Sequence, residues 1–109
     1  MTLSKALQCK VEARLAVAGH YGLDPQTTTI PAVAWVCSGF DALAAAAEFR
    51  LGGLREHDAA QNPAGPSSEW YAKRIKEEER IARRWRKWSA EVRTCGIPAD
   101  LLAKYGWRP

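Results

Sequence analysis

Lys73, Lys76, Arg80, Arg83, Arg84 and Lys87 are the residues whose type and spacing best fit a chemistry. At helical periodicity all six fall within an arc of about 100°. Glu69 and Glu91 are the only acids on that arc. A row of cations on one helix face neutralises phosphates or another row of anions. Lys73 to Lys87 spans about 21 Å at helical rise, comparable with about six nucleotides of one strand. The spacing works against an isolated helix. Lys76/Arg80, Arg80/Arg84 and Arg83/Lys87 are like-charge i,i+4 pairs, each unfavourable by about 0.3 kcal/mol. Helix stability alone does not select this pattern, although an ordinary solvated face remains the plainer alternative.

Trp70 and Trp88 stand at the border between the basic arc and an apolar one. There an indole can stack on an unpaired base or fill a partner's pocket. Trp85 lies inside the apolar stripe, where a core position is the ordinary reading, and Trp35 belongs to the apolar middle of the chain. The six cations with Trp70 and Trp88 therefore form the candidate nucleic-acid-binding set.

Other chemistries find little support. The histidines are His20 and His57, and no C-x₂-C or H-x₃-H spacing supplies a metal site. Cys9 and Cys37 lie in apolar periodic segments, the usual place of structural thiols. His57-Asp58 reads as surface. Glu77, Glu78 and Glu79 point in different directions on one helix, so they balance Lys73, Arg74 and Arg83 rather than form an acid–base pair. Gly52-Gly53 lacks the context of a phosphate loop, and helix-turn-helix grammar does not fall into register at any glycine pair. No catalytic residue, metal or cofactor is expected, and the chain reads as a non-enzyme.

The element that positions these residues is a helix over 69–94. Residues 62–68 precede it as a Pro/Gly linker, with Ser67 or Ser68 as cap. Gly96 and Pro98 stop it. Trp70, Tyr71, Ile75, Ile81, Ala82, Trp85, Trp88 and Val92 line its apolar arc of about 140°. Ile81, Trp85 and Val92 could equally line a homodimer seam.

Upstream, Leu3, Leu7, Val11, Leu15 and Ala18 predict a first helix capped by Thr2 or Ser4 and ended at Gly19 or Gly22. Lys5, Gln8, Lys10, Glu12 and Arg14 fall mostly off its stripe. Asp24-Pro25 opens a turn, and Thr29 is placed to cap the next element with Pro31 in its first turn. Residues 32–37 fit a short helix or a strand. Ser38 then caps an alanine-rich helix over 41–51, which Gly52-Gly53 interrupts before one or two more turns. A short helix follows over 98–105, with Leu101, Leu102 and Tyr105 for packing and Trp107 as a terminal plug.

The 109 residues suit a single helical domain: N-terminal helices to 61, the linker, and the long basic helix with its short successor. The net charge of +4 is uneven. Residues 1–68 hold five basic groups against six acidic, and residues 69–109 hold eleven against six. Three scattered cysteines do not make a disulfide framework. With no secretory signal and no apolar run of membrane-spanning length visible, a cytoplasmic protein that does not bind membranes is expected.

The expected fold is all-α, a small helical bundle with one long C-terminal amphipathic helix and a short closing helix. The expected function is non-enzymatic nucleic-acid binding through the basic face, directed at the backbone or at single strands with low sequence specificity. Docking of that face on an acidic surface of a larger protein, blocking it, is the alternative. In general character the short, cysteine-poor chain, with one charged helical face and no enzymatic motif, resembles the small accessory proteins carried by bacteriophages and mobile elements. Anti-CRISPR proteins are one such class. The resemblance covers no motif and carries over no residue. It implies inhibition by occupancy of a CRISPR effector's protein surface or exposed nucleic acid.

Overall fold

The computed structural model describes residues 2–109, and among them every regular element is helical. Four α-helices follow in order: α1 (Lys5–Ala16), α2 (Ala32–Gln61), α3 (Glu69–Cys95) and α4 (Ala99–Lys104), with a 3₁₀ turn at Ala18–Tyr21. The Cα positions group into two compact units. A terminal unit holds the residues up to Phe40 together with Lys87–Pro109, and a hairpin unit holds Asp41–Arg86.

The terminal unit contains α1, the start of α2, the end of α3, and α4. Ser4 caps α1 by accepting from the Leu7 N–H at 3.3 Å. The stripe then buries Leu7, Val11 and Leu15 beside Val36, Phe40 and Val92. The α3 end is closed where Gly96 takes a φ of +74°, a left-handed conformation that glycine adopts without Cβ strain, and its N–H donates to Val92 O at 2.8 Å. Trp107 plugs the unit, buried, with Nε1 donating to Leu15 O at 3.1 Å. Val92 is fully buried inside the chain, which removes it from any homodimer seam.

The hairpin unit is a helix–connection–helix in which α2 and α3 pack together. Ala44, Ala47, Leu51 and Ala82 form its apolar interior. Small side chains bring two backbones close but bury little area. Ser68 accepts from the Tyr71 N–H at 3.4 Å and so caps α3, whereas Ser67 donates to Asp58 instead. Asp58 is buried and also accepts from Asn62 Nδ2 at 3.2 Å. The expectation that His57-Asp58 is plain surface holds for His57 and fails for Asp58, which ties down the connection.

The clearest correction concerns α2. Residues 32–37 are helix, not strand, and the helix runs without a break through Ser38 and Gly52-Gly53. Ser38 is not a cap, since its hydroxyl donates back to Trp35 O at 2.8 Å. Two helical glycines cost about 1 kcal/mol each relative to alanine, which packing on either side of them outweighs. Thr29 does not cap α2 either, because Pro31 O takes the first helical bond, from Trp35 N at 3.0 Å. Joined into one 30-residue helix, α2 is long and apolar enough to cross a membrane by length and composition, with 33% of its most apolar window buried inside the protein. Splitting the segment at Ser38 and Gly52 hid that run from the sequence.

Candidate functional site

Within the hairpin unit, Lys73, Lys76, Arg80, Arg83 and Arg84 are all exposed on α3. Among the described residues, no carboxylate comes within ion-pair distance of Lys73, Lys76, Arg80 or Arg83. Arg84 has interactions of its own. Lys87 and Trp88 fall in the terminal unit. There the Lys87 ammonium is exposed, 4.0 Å from Glu91, and Trp88 is half-buried and in contact with its surroundings.

Glu77, Glu78 and Glu79 are drawn away from the arc by other arginines. Glu78 is 4% exposed and accepts from Arg50 Nε at 3.2 and 3.1 Å through its two oxygens. Arg74 Nη2 lies 3.9 Å from the same carboxylate, and Arg74 Nη1 lies 3.7 Å from Glu77. Glu79 turns to Arg55 at 3.6 Å. Arg86 reaches back to Asp41 at 3.5 Å and Glu48 at 2.6 Å. The three glutamates therefore do not balance Lys73 or Arg83 as expected; only Arg74 of that set is served. Arg50 and Arg55, on α2, claim the rest. Those pairs are 28 and 24 residues apart in the chain, so winding α3 alone could not reveal them.

Trp70 sits in the first turn of α3 and is 60% exposed. Its ring meets Tyr71 edge-to-face, with centroids 5.0 Å apart and planes at 90°. Beside it runs an open groove of about 370 Å³ between α2 and α3, lined by Arg50, Gly53, His57, Trp70, Tyr71 and Arg74, with Leu54 at its wall. The sequence places Trp70 in the candidate set but not Arg50, Gly53, His57, Tyr71 or Arg74. Once α2 is continuous, Arg50, Gly53 and His57 share one face at i, i+3, i+7 spacing, and that is the signal that would have found them.

The terminal unit carries two polar clusters of a different kind. Arg14, placed off the stripe by its sequence position, lays its guanidinium 3.8 Å over the Trp35 ring and donates from Nη2 to Trp35 O at 2.9 Å. Trp35 Nε1 donates in return to Arg14 O at 2.7 Å. Burial lowers the Arg14 pKa from its ordinary value. Gly39 makes room, since a Cβ there would stand 2.0 Å from Arg14 Nε. Glu12 accepts from Lys104 Nζ and Tyr105 Oη, both at 2.9 Å. Lys104 first, then Tyr105, hold the Glu12 pKa below its usual value, and Glu12 raises that of Lys104. Both clusters are engaged internally, except that Arg14 Nε is buried with no hydrogen-bond partner among the described residues.

Cys37 is buried, its thiol 3.4 Å from Ser89 O, whereas Cys9 is exposed, against the expectation of a buried structural thiol. It occupies the outward side of α1, two residues from both Leu7 and Val11 and so opposite their stripe. Among the described residues no group of three or more His, Cys, Asp or Glu side chains could hold a metal ion.

No family model, curated protein or solved structure matches the chain. The functional reading therefore rests on the site's own geometry.

Proposed function

We propose that the helices form a small bundle whose long helix, α3, makes this chain a non-enzymatic nucleic-acid-binding protein of low sequence specificity. The observation that carries the reading is that Lys73, Lys76, Arg80 and Arg83 have no ion-pair partner among the described residues, while Glu77, Glu78 and Glu79 are held by other arginines. Like charges at i,i+4 weaken the helix, and burial elsewhere does not require them. A phosphate backbone removes that repulsion and releases its counterions on binding. From Lys73 to Arg84 the arc covers about 16 Å of helix, the reach of about five nucleotides. In cells such a protein acts by occupancy, as an inhibitor of the anti-CRISPR type would.

Fluorescence anisotropy with a labelled oligonucleotide tests this. The triple variant Lys76→Glu/Arg80→Glu/Arg83→Glu should lose at least about a hundredfold in affinity while keeping its helical circular dichroism. Unchanged affinity would remove the reading.

A protein partner with an acidic surface is the second reading, and Phe49 favours it. This side chain is 84% exposed on the outward face of α2, between Ala45, Ala46 and Gly52-Gly53. Under that reading Phe49→Asp weakens partner binding as much as the triple charge reversal does, and oligonucleotides do not compete.

A further inference from the structure

We propose that the groove beside Trp70 takes one unpaired nucleobase, so that the protein prefers single strands to duplex. The proposal rests on the phosphate-binding reading of α3 and adds to it a base-contacting site.

Four observations on the hairpin unit converge. Trp70 is largely exposed, although an indole gains more from burial than almost any other side chain. Tyr71 touches it edge-to-face, a geometry that covers at most one face of the indole. Across the groove stands Gly53, in the middle of α2. Glycine there weakens the helix, yet a Cβ would meet nothing within 4 Å, so packing within the chain gives no reason for it. A missing side chain on a groove wall is explained by something that approaches from outside.

The third observation is the pre-positioning of the donors. Arg50 and Arg74 both line the groove and are both held by the buried Glu78 carboxylate. Their side chains remain 49% and 43% exposed. An arginine carries five N–H donors in a fixed fork, so each keeps donors for a ligand after pairing with Glu78. Those donors match the ring nitrogen and carbonyl acceptors of base edges. His57 adds a further polar group at the same wall.

Local charge then decides which part of a strand fits. Around the groove Arg50, Arg55 and Arg74 are matched by Glu77, Glu78 and Glu79. The lining carries Arg50 and Arg74 and no carboxylate, but Glu78 and Glu77 just outside it offset their charge, which suits a neutral planar heteroaromatic. The unbalanced charge begins one helical turn on, at Lys73, and continues to Lys76 and Arg80. A strand with one base against Trp70 has its next phosphates directed along that row. In a duplex each base is already stacked on both sides, so only an unpaired base can enter.

The test compares three probes at low salt by fluorescence anisotropy: a thymidine 12-mer, a 12-mer of the same charge built from abasic sites, and a 12-base-pair duplex. The wild type should bind the base-bearing strand about tenfold more tightly than the abasic one. Trp70→Ala should bring the two to equal affinity, and Trp70→Phe should restore most of the difference. Gly53→Leu, which fills the groove at a position with open space around it, should also abolish the preference. Arg80→Glu/Arg83→Glu should weaken both strands equally and leave their ratio intact. Equal binding of the two strands by the wild type, or a preference that survives both Trp70→Ala and Gly53→Leu, would overturn the base site while leaving the phosphate reading standing. Failure to bind any of the three probes would overturn the phosphate reading itself, and the base site with it.

Discussion

The terminal unit buries Phe40, Leu7, Leu15, Val11, Val36 and Val92 to 1% exposure or less, whereas the hairpin unit is built on Ala44, Ala47, Ala82 and Leu51 around a buried glutamate. Large side chains each remove about 1.5–3 kcal/mol worth of apolar surface from water. Alanines remove little. The hairpin unit supplements them with ion pairs from Arg50, Arg55, Arg74 and Arg86, all with partly exposed partners or heads. One unit is thus held mainly by apolar burial and the other by close backbone approach plus charge. The candidate site lies on the second, where helices are joined by contacts that salt and ligand can adjust.

Truncating the larger core breaks the comparison most directly. Phe40→Ala should destabilise the protein by about 4 kcal/mol in urea or thermal unfolding, because the cavity is fully enclosed. A loss below 1 kcal/mol would mean that the terminal unit does not depend on its apolar core. Glu78→Gln should cost about 2 kcal/mol. It removes the charge shared by Arg50 and Arg74, and their exposed heads recover part of the loss in water. Raising salt should weaken the wild type more than this variant, and an identical salt response in both would show that the hairpin's ion pairs contribute nothing.

The smallest effect is expected at Glu12. Its folded pKa is held below the unfolded value by Lys104 and Tyr105. The stabilisation it gives is therefore present above about pH 4.3, the ordinary glutamate value, and is lost as pH falls through the folded pKa. Lys104 has the opposite sign: its raised pKa means stabilisation that is present below its ordinary value and lost as pH rises through the folded one. Melting curves of wild type and Glu12→Gln should differ slightly at neutral pH and converge in acid. A difference that persists below pH 3 would contradict the pairing.

Much of the fold was legible along the chain, because the signals were local. Ser4 and Ser68 cap where they stand, Gly96 stops α3, and the Leu7–Val11–Leu15 stripe is buried. Trp107 was expected to tuck back, and it reaches Leu15. What failed depended on partners far away. Gly52-Gly53 looks like a break by propensity, but α2 is held on both sides of it by packing. Arg14 looks solvent-facing until Trp35 and Gly39 come to meet it. Trp70 was legible as a border residue, while the groove beside it required α2 to be one helix. The arc of six cations was legible, but not which of them stay without an ion-pair partner among the described residues: Lys87 lies 4.0 Å from Glu91, and Arg84 has interactions of its own. Glu79 stands four residues before Arg83, the favourable order for a helical pair, yet it turns to Arg55.

The contrast between paired and unpaired cations on α3 is most directly tested by the salt dependence of binding. The logarithm of the association constant for a single-stranded oligonucleotide should fall linearly with the logarithm of salt concentration. With about four phosphates neutralised by Lys73, Lys76, Arg80 and Arg83, the slope should be about −3. Arg83→Glu should make it shallower by about 1, and Arg86→Gln, which removes a cation already paired with Asp41 and Glu48, should leave it unchanged. A slope near zero, or equal changes in the two variants, would contradict the assignment of binding to the unpaired arc.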